Sequence, residues 1–227
     1  YNSLMNIVYC IDQNYNKQCY VSIKSIIDQH KEKINFYVLH NNSKTFSTEV
    51  ITKNTKNKNY DIKIIDFFDS DLLGKSDEKL NLKISHITKA TLYRLFLSNY
   101  LYDSIEEIVY LDADVLCLKN FYNDYLEVFK EMKKNRYAIA AHTIGTAEGN
   151  KEILDSLKLI NGKYFNAGVV FIDYKEWKER EIESKLQKML FSKKFKYLDQ
   201  DILNKFFDGD YYEMSPTLNF LLRPVEG

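Results

Sequence analysis

Two aspartates one residue apart, Asp112 and Asp114, close the apolar run 108–111 in EEIVYLDADVLCLKNF, residues 106–121. A strand that ends there puts both carboxylates at the mouth of its own core. In extended chain, residues i and i+2 face the same side, so the two charges repel unless a cation lies between them. Carboxylate oxygens suit hard divalent ions such as Mg²⁺ and Mn²⁺, which also take phosphate oxygens. The competing reading is an ordinary turn in which one aspartate caps the next segment.

Four other segments carry groups of the same kind. In IDQNY, residues 11–15, Asp12 and Asn14 offer hydrogen bonds to a base edge and Tyr15 a stacking face, while Asn14 also suits a helix cap. HITKATLYR places His86 and Arg94 eight residues apart, a little over two helical turns, so both fit one helix face. Only four of the 32 basic residues are arginine, and a guanidinium suits a phosphate or sugar hydroxyls. In YFNAGVVFID, Asn166 precedes Ala167 and Gly168, small residues that let a ligand approach the backbone. YLDQDILN clusters Asp199, Gln200 and Asp201 at a helix start, where acidic residues are also ordinary helix chemistry.

The elements that must position these groups follow an α/β rhythm. A continuous apolar run predicts a strand at 5–11, and apolar patterning predicts others at 34–40, 60–66, 107–111, 137–142 and 167–173, with a short one at 211–214. Helical spacing predicts helices at 15–30, 46–57, 86–100, 121–132, 175–191 and 198–207. The reading is a single, mostly parallel sheet flanked by helices, with a mixed C-terminal half. Ligands of such sheets bind outside the carboxyl ends of the strands, here 12–15, 112–114 and 142–149. An antiparallel strand entering at 167 would bring 165–167 to the same rim.

Composition narrows the function. The 227 residues fit one domain with a sizeable core, and a formal net charge of zero argues against a nucleic-acid binder. Three cysteines, Cys10, Cys19 and Cys117, form neither a disulfide scaffold nor a metal-ligand spacing, which points to a reducing compartment. Cys10 and Cys117 read as buried thiols. No apolar run approaches the length of about 18 residues that spans a membrane.

With VYLDADVL, YFNAGVVFID and LDQDILN in this order, the chain from residue 5 to about 222 resembles the family 8 glycosyltransferases. These are retaining enzymes of GT-A fold, of the bacterial lipopolysaccharide galactosyl- and glucosyltransferase and glycogenin type. The resemblance implies one nucleotide-sugar-binding domain over 1–227 and a hexose moved from a UDP-sugar to a saccharide or glycolipid hydroxyl. Cys10, Ile11, Asp12, Asn14 and Tyr15 would then meet the nucleoside, with His86 close by. Asp112 and Asp114 would hold Mn²⁺ (or Mg²⁺), with Ala113 lining the donor site. Arg94, Asn166 and Ala167 would line the sugar pocket, and Asp199 and Gln200 would be the catalytic pair. Gln200 is a poor nucleophile, so a front-face route with positioning groups is preferred over a covalent intermediate.

The family normally supplies a third metal ligand, a histidine, from a C-terminal HxxGxxKPW segment. This sequence reaches Gly227 without one, and a further C-terminal portion is expected. The implied location is the cytoplasm, with peripheral contact with the inner membrane through a basic tail if such a portion exists. Two rivals make different predictions. A nucleotide-sugar-binding protein without turnover would bind UDP and transfer nothing. A haloacid-dehalogenase-type phosphatase would form a phospho-enzyme at Asp112, but that motif opens its chain and wants Thr or Val where Leu116 stands.

Overall fold

The computed structural model describes residues 4–53, 55–68, 89–146, 151–192 and 198–221. Seven strands form one sheet in the order β3-β2-β1-β4-β6-β5-β7. They are β1 (Met5–Ile11), β2 (Ile34–His40), β3 (Tyr60–Asp66), β4 (Glu107–Leu111), β5 (Ile139–Thr146), β6 (Lys163–Asp173) and β7 (Tyr212–Glu213). β6 runs antiparallel to both β4 and β5, and every other pairing is parallel. The start of β6 therefore lies at the rim where the other six strands end.

The central strands are mostly apolar because both faces are covered. Ile7, Tyr9, Phe36, Val109 and Leu111 pack on one side against α1 (Asn16–Gln29) and α3 (Tyr122–Asn135). Cys19, Ile23, Ile26 and Ile27 form the buried stripe of α1, at the spacing of one helix face. On the other side, Val8, Cys10, Leu39, Ile108 and Tyr110 meet a run of 3-10 turns at Lys89–Asn99. There they also meet α5 (Tyr174–Glu179), α6 (Ile182–Ser192) and α7 (Leu198–Phe207).

Several elements depart from the sequence expectation. The helix expected at 46–57 is only α2 (Glu49–Thr52), since its polar sequence offers little apolar face to bury: within α2 only Ile51 is buried. The segment expected as a helix over 86–100 is made of 3-10 turns broken at Phe96, within the described residues. A helix expected at 175–191 is two, α5 and α6, separated where Glu181 adopts a left-handed φ of 50°. A short α4 (Lys151–Leu157) lies between β5 and β6, where no helix was expected. β5 and β6 extend beyond 142 and before 167, carrying irregular pairing between Ala140 and His142. Cys10 and Cys19 are buried, whereas Cys117 is half-buried.

Candidate active site

Arg94 is the centre of the rim. It sits on the 3-10 segment with its side chain 5% exposed, surrounded by groups from β4, β6 and α7. Nη1 donates to Ala167 O at 2.6 Å. Nη2 donates to Tyr110 Oη at 2.7 Å and to Asp112 Oδ1 at 2.9 Å. Nε lies 3.0 Å from Asp199 Oδ2 and 3.2 Å from Thr91 O. The guanidinium also stacks over the Tyr110 ring, 3.6 Å from its centroid. Burial alone would make Arg94 easier to deprotonate, but Asp199, Tyr110 and Asp112 hold its pKa above the ordinary value. It is a permanent buried charge.

Its partners respond to the same environment. Burial pushes the Asp199 carboxyl above the usual range, and the Arg94 guanidinium pulls it back. Burial raises Tyr110 well above a normal phenol, so its hydroxyl stays protonated and donates to Asp112 Oδ1 at 3.0 Å. Asp112 is thereby fixed through one oxygen. Its side chain remains 41% exposed, and Oδ2 takes no hydrogen bond from the described residues.

The backbone beside Asp112 explains the glycine in the β6 sequence. Asp112 N donates to Gly168 O at 2.8 Å, adding one more rung between β4 and β6. A Cβ on Gly168 would lie 2.9 Å from Asn166 Oδ1 and 3.0 Å from Asp112 Oδ2. Both side chains therefore rest on the bare glycine. After Asp112 the chain does not stay extended: Val115 N returns to Asp112 O at 3.2 Å, Ala113 turns into the core, and Asp114 is exposed. The turn reading holds here, so the same-side geometry expected of an extended Asp112–Asp114 pair does not apply.

α7 is locked to β6 by side chains that imitate a strand. Asn204 accepts from Phe165 N at 2.7 Å and donates to Phe165 O at 2.9 Å. Gln200 Oε1 accepts from Ala167 N at 2.9 Å, while its Nε2 donates to Tyr164 Oη at 3.0 Å. Asn166 Oδ1 accepts from Gly168 N at 2.9 Å and from Asn219 Nδ2 at 3.0 Å. Asn219 and Tyr164 were not singled out from sequence, because nothing in their local patterns distinguishes them from core polar residues.

At the β1 end, Asp12 Oδ1 accepts from Asn14 N at 2.8 Å in an Asx turn, and Tyr15 N returns to Asp12 O at 3.0 Å. Asn14 is exposed and Tyr15 half-buried. The Cys10 and Ile11 side chains are buried, 6% and 3% exposed, in opposite cores. Burial raises the Cys10 thiol far above its ordinary value. His86 lies outside the described residues. The structure thus brings Arg94, Asp112, Asn166, Ala167, Asp199 and Gln200 together, with Asp12, Asn14 and Tyr15 one strand away on β1.

Two oxygen ligands are on offer to a hard cation: the free Oδ2 of Asp112 and the exposed carboxylate of Asp114. Their chemistry fits a divalent ion such as Mn²⁺ or Mg²⁺. Among the described residues no third histidine, cysteine or carboxylate joins them to complete a set.

Comparison with known proteins places the fold. The sequence profile described as Glycosyl transferase family 8 matches residues 6–224. General stress protein A of Bacillus subtilis (strain 168) is 28% identical over 96% of this chain and 74% of its own length. Lipopolysaccharide 1,2-glucosyltransferase of Escherichia coli is 29% identical over 89% of this chain. The chain spans only 58% of that enzyme's length. The crystal structure of galactosyltransferase LgtC with donor and acceptor sugar analogues superposes with a TM-score of 0.73 and 27% identity, covering 93% of this chain and 74% of that one. The fold is therefore the GT-A fold. By profile and fold, the chain is a glycosyltransferase domain belonging to glycosyltransferase family 8.

Proposed function

We propose that this domain moves a hexose, galactose or glucose, from a UDP-sugar to a hydroxyl of a saccharide or glycolipid acceptor, with retention at the anomeric carbon. The observation that carries it is the Arg94 node. One buried guanidinium fixes Asp112, the Ala167 carbonyl and Asp199 at the rim, where the strand ends of an α/β sheet receive ligands. The nucleoside lies against Asp12, Asn14 and Tyr15 at β1, the diphosphate against Asp112 and Asp114 at β4, and the sugar against Asn166 and Ala167 at β6. Bound to Asp112 and Asp114, a divalent ion would supply Lewis acidity toward the departing diphosphate. Arg94 keeps Asp112 ionised and aimed.

The far face of the sugar favours a front-face route. Asp199 is ion-paired with Arg94, and both ends of the Gln200 amide are held, by Ala167 N and by Tyr164. These residues position and stabilise charge, and neither is a free nucleophile. Zero net charge continues to argue against nucleic acid as a partner. No helix among the described residues is long and apolar enough to cross a membrane. A cytoplasmic protein with peripheral contact at the inner membrane fits a glycolipid acceptor.

Calorimetric binding of UDP with and without Mn²⁺, on the native protein and on Asp114→Asn, tests the reading. The expected result is binding strengthened by Mn²⁺ in the native protein and unaffected by Mn²⁺ in the variant. Absence of UDP binding, or binding indifferent to Mn²⁺ and Mg²⁺ in both, would overturn it.

A further inference from the structure

The segment that carries Arg94 is broken, and a different helix holds both sides of the break. Phe96 takes φ −136° and ψ 24°, outside the helical region, and parts the 3-10 turns on either side of it. Such a break leaves backbone groups without the partners that a continuous helix would give them. α6 supplies those partners. Glu183 accepts from Ser98 N at 3.0 and 3.1 Å through its two oxygens, and from Leu97 N. It also accepts from the Ser98 hydroxyl and from Trp177 Nε1, the latter at 3.3 Å. One turn further along α6, Gln187 Nε2 donates to Leu95 O at 2.7 Å. Residues i and i+4 share a helix face, so one stretch of α6 caps both the N–H side and the C=O side of the break.

The groups on Glu183 fix its state. All of them are donors, and an ionised carboxylate only accepts, so Glu183 is held as a carboxylate. Burial pushes its carboxyl up, and the Ser98 and Trp177 donors pull it back. A charge that is 7% exposed is tolerated where hydrogen bonds replace its water. Leu95 follows Arg94 directly, and Leu95 and Leu97 are fully buried in the core that also takes Val8, Cys10 and Tyr110. The backbone that delivers Arg94 is thus anchored within one or two residues of it. The guanidinium needs that accuracy. Its contacts with Ala167 O, Tyr110 Oη, Asp112 Oδ1 and Asp199 Oδ2 run from 2.6 to 3.0 Å and reach three different elements. Hydrogen bonds of this length weaken steeply when their geometry is disturbed.

Resting on the proposed transferase reading, we propose that Glu183 and Gln187 are positioning residues of the donor site. By holding the two sides of the break they set where the Arg94 guanidinium enters, and through it the aim of Asp112. Two readouts on the full protein test this. The first needs no ligand. The chain has four arginines, and the Arg94 Nε–Hε NMR signal is the one lost in Arg94→Lys. Gln187→Met keeps the length of the side chain and removes the donor to Leu95 O, and Gln187→Lys returns a donor. The Arg94 signal is expected to shift in Gln187→Met and in Glu183→Ala, and to lie near its native place in Gln187→Lys. The second readout is calorimetric binding of UDP. With Mn²⁺, Gln187→Met raises the Kd about tenfold, the weight of one hydrogen bond, at unchanged stoichiometry. Gln187→Lys restores most of that affinity, and binding without Mn²⁺ stays at the native value. A role in stability alone would lower the stoichiometry and leave the Kd and the Arg94 signal in place, which would overturn the inference. So would an unmoved Arg94 signal or a native Kd in Gln187→Met. Should Glu183→Ala fail to fold, the half-buried Gln187 carries the test. A native protein that does not bind UDP would sink the parent reading and this one with it. Native binding strengthened by Mn²⁺ and matched by Gln187→Met would overturn this inference alone.

Discussion

Two residues organise the two halves of the rim, and they do it by opposite means. Arg94 holds the centre with a permanent charge, buried among Asp112, Asp199 and the Tyr110 ring. His40, fully buried at the end of β2, holds the β1 side with no charge at all. Its Nε2 donates to Asn16 Oδ1 at 2.7 Å, and its Nδ1 accepts from Asn42 N at 2.8 Å. Asn16 then donates to Thr45 O at 3.0 Å, so the first residue of α1, next to Tyr15, is tied to the loop after β2. The difference matches what each half is proposed to hold. The centre faces a diphosphate and a cation, where preset charge lowers the cost of gathering more. The β1 side faces a base and ribose, where neutral hydrogen bonds and a ring suffice.

The largest effect should come from removing the charge at the centre. Arg94→Met leaves Asp199 buried without its cation, which typically costs about 3–5 kcal/mol of stability. Urea unfolding should show that loss, and transfer should be abolished. Arg94→Lys keeps the charge but cannot reach Asp112, Ala167 and Asp199 at once, so it should fold better than Arg94→Met and still fail to transfer. Equal stability of native and Arg94→Met proteins would break the comparison, because the node would then carry no buried charge worth pairing.

A second, smaller effect concerns the bare backbone under Asp112. Gly168→Ala puts a methyl group 2.9 Å from Asn166 Oδ1 and 3.0 Å from Asp112 Oδ2, and both short side chains must move. Overpacking of this kind costs roughly 1–3 kcal/mol. Here it falls on the proposed ligand-binding atoms, so Mn²⁺-dependent UDP affinity should drop about tenfold, or roughly 1.4 kcal/mol. A variant that lost stability but kept UDP affinity would separate Gly168 from the site.

The sequence made the scaffold legible where burial is complete and blurred it where burial is partial. β1, β2 and β4 matched the apolar runs because those runs are buried almost throughout. β3 matched although it is only partly buried, because Tyr60, Ile62 and Ile64 alternate onto one core face. Helix limits failed where no Gly or Pro marks a break, as at Glu181 between α5 and α6. Within the site, Arg94 stood out by its rarity among lysines. Its three-way contact did not, since Asp112, Ala167 and Asp199 come from distant parts of the chain. The bond between His142 and Glu213 was equally hidden, because Glu213 lies 71 positions later on a two-residue strand that only tertiary pairing defines.

The smallest effect, and the one that most sharpens the contrast, is a pH dependence confined to the β1 side. Burial lowers the pKa of His40 below its usual value, with Asp12 and Asp66 opposing. The geometry explains why protonation is resisted: a second proton would sit on Nδ1, against the incoming Asn42 N–H. In the unfolded chain the same imidazole titrates near about 6.5. Between the lowered folded value and that pH the unfolded state binds more protons, so stability rises with pH there. The contribution is complete above about 7 and is lost as pH falls through about 6.5 toward the folded value. His30 adds to it with the same sign: burial lowers it too, and its Nε2 accepts from Phe121 N at 3.1 Å. Buried carboxyls such as Glu183, raised by burial, act in the opposite direction at lower pH. The difference between native and His40→Gln unfolding curves isolates the histidine term. That difference should shrink as pH falls from about 7.5 to about 5.5, where His40 no longer favours the native fold. Arg94 stays protonated throughout, so the same measurement on Arg94→Lys should give a difference that is flat across the window. A flat His40 difference would mean that folding leaves its protonation unchanged, and a difference that grows as pH falls would mean that this half of the rim, like the other, is held by charge.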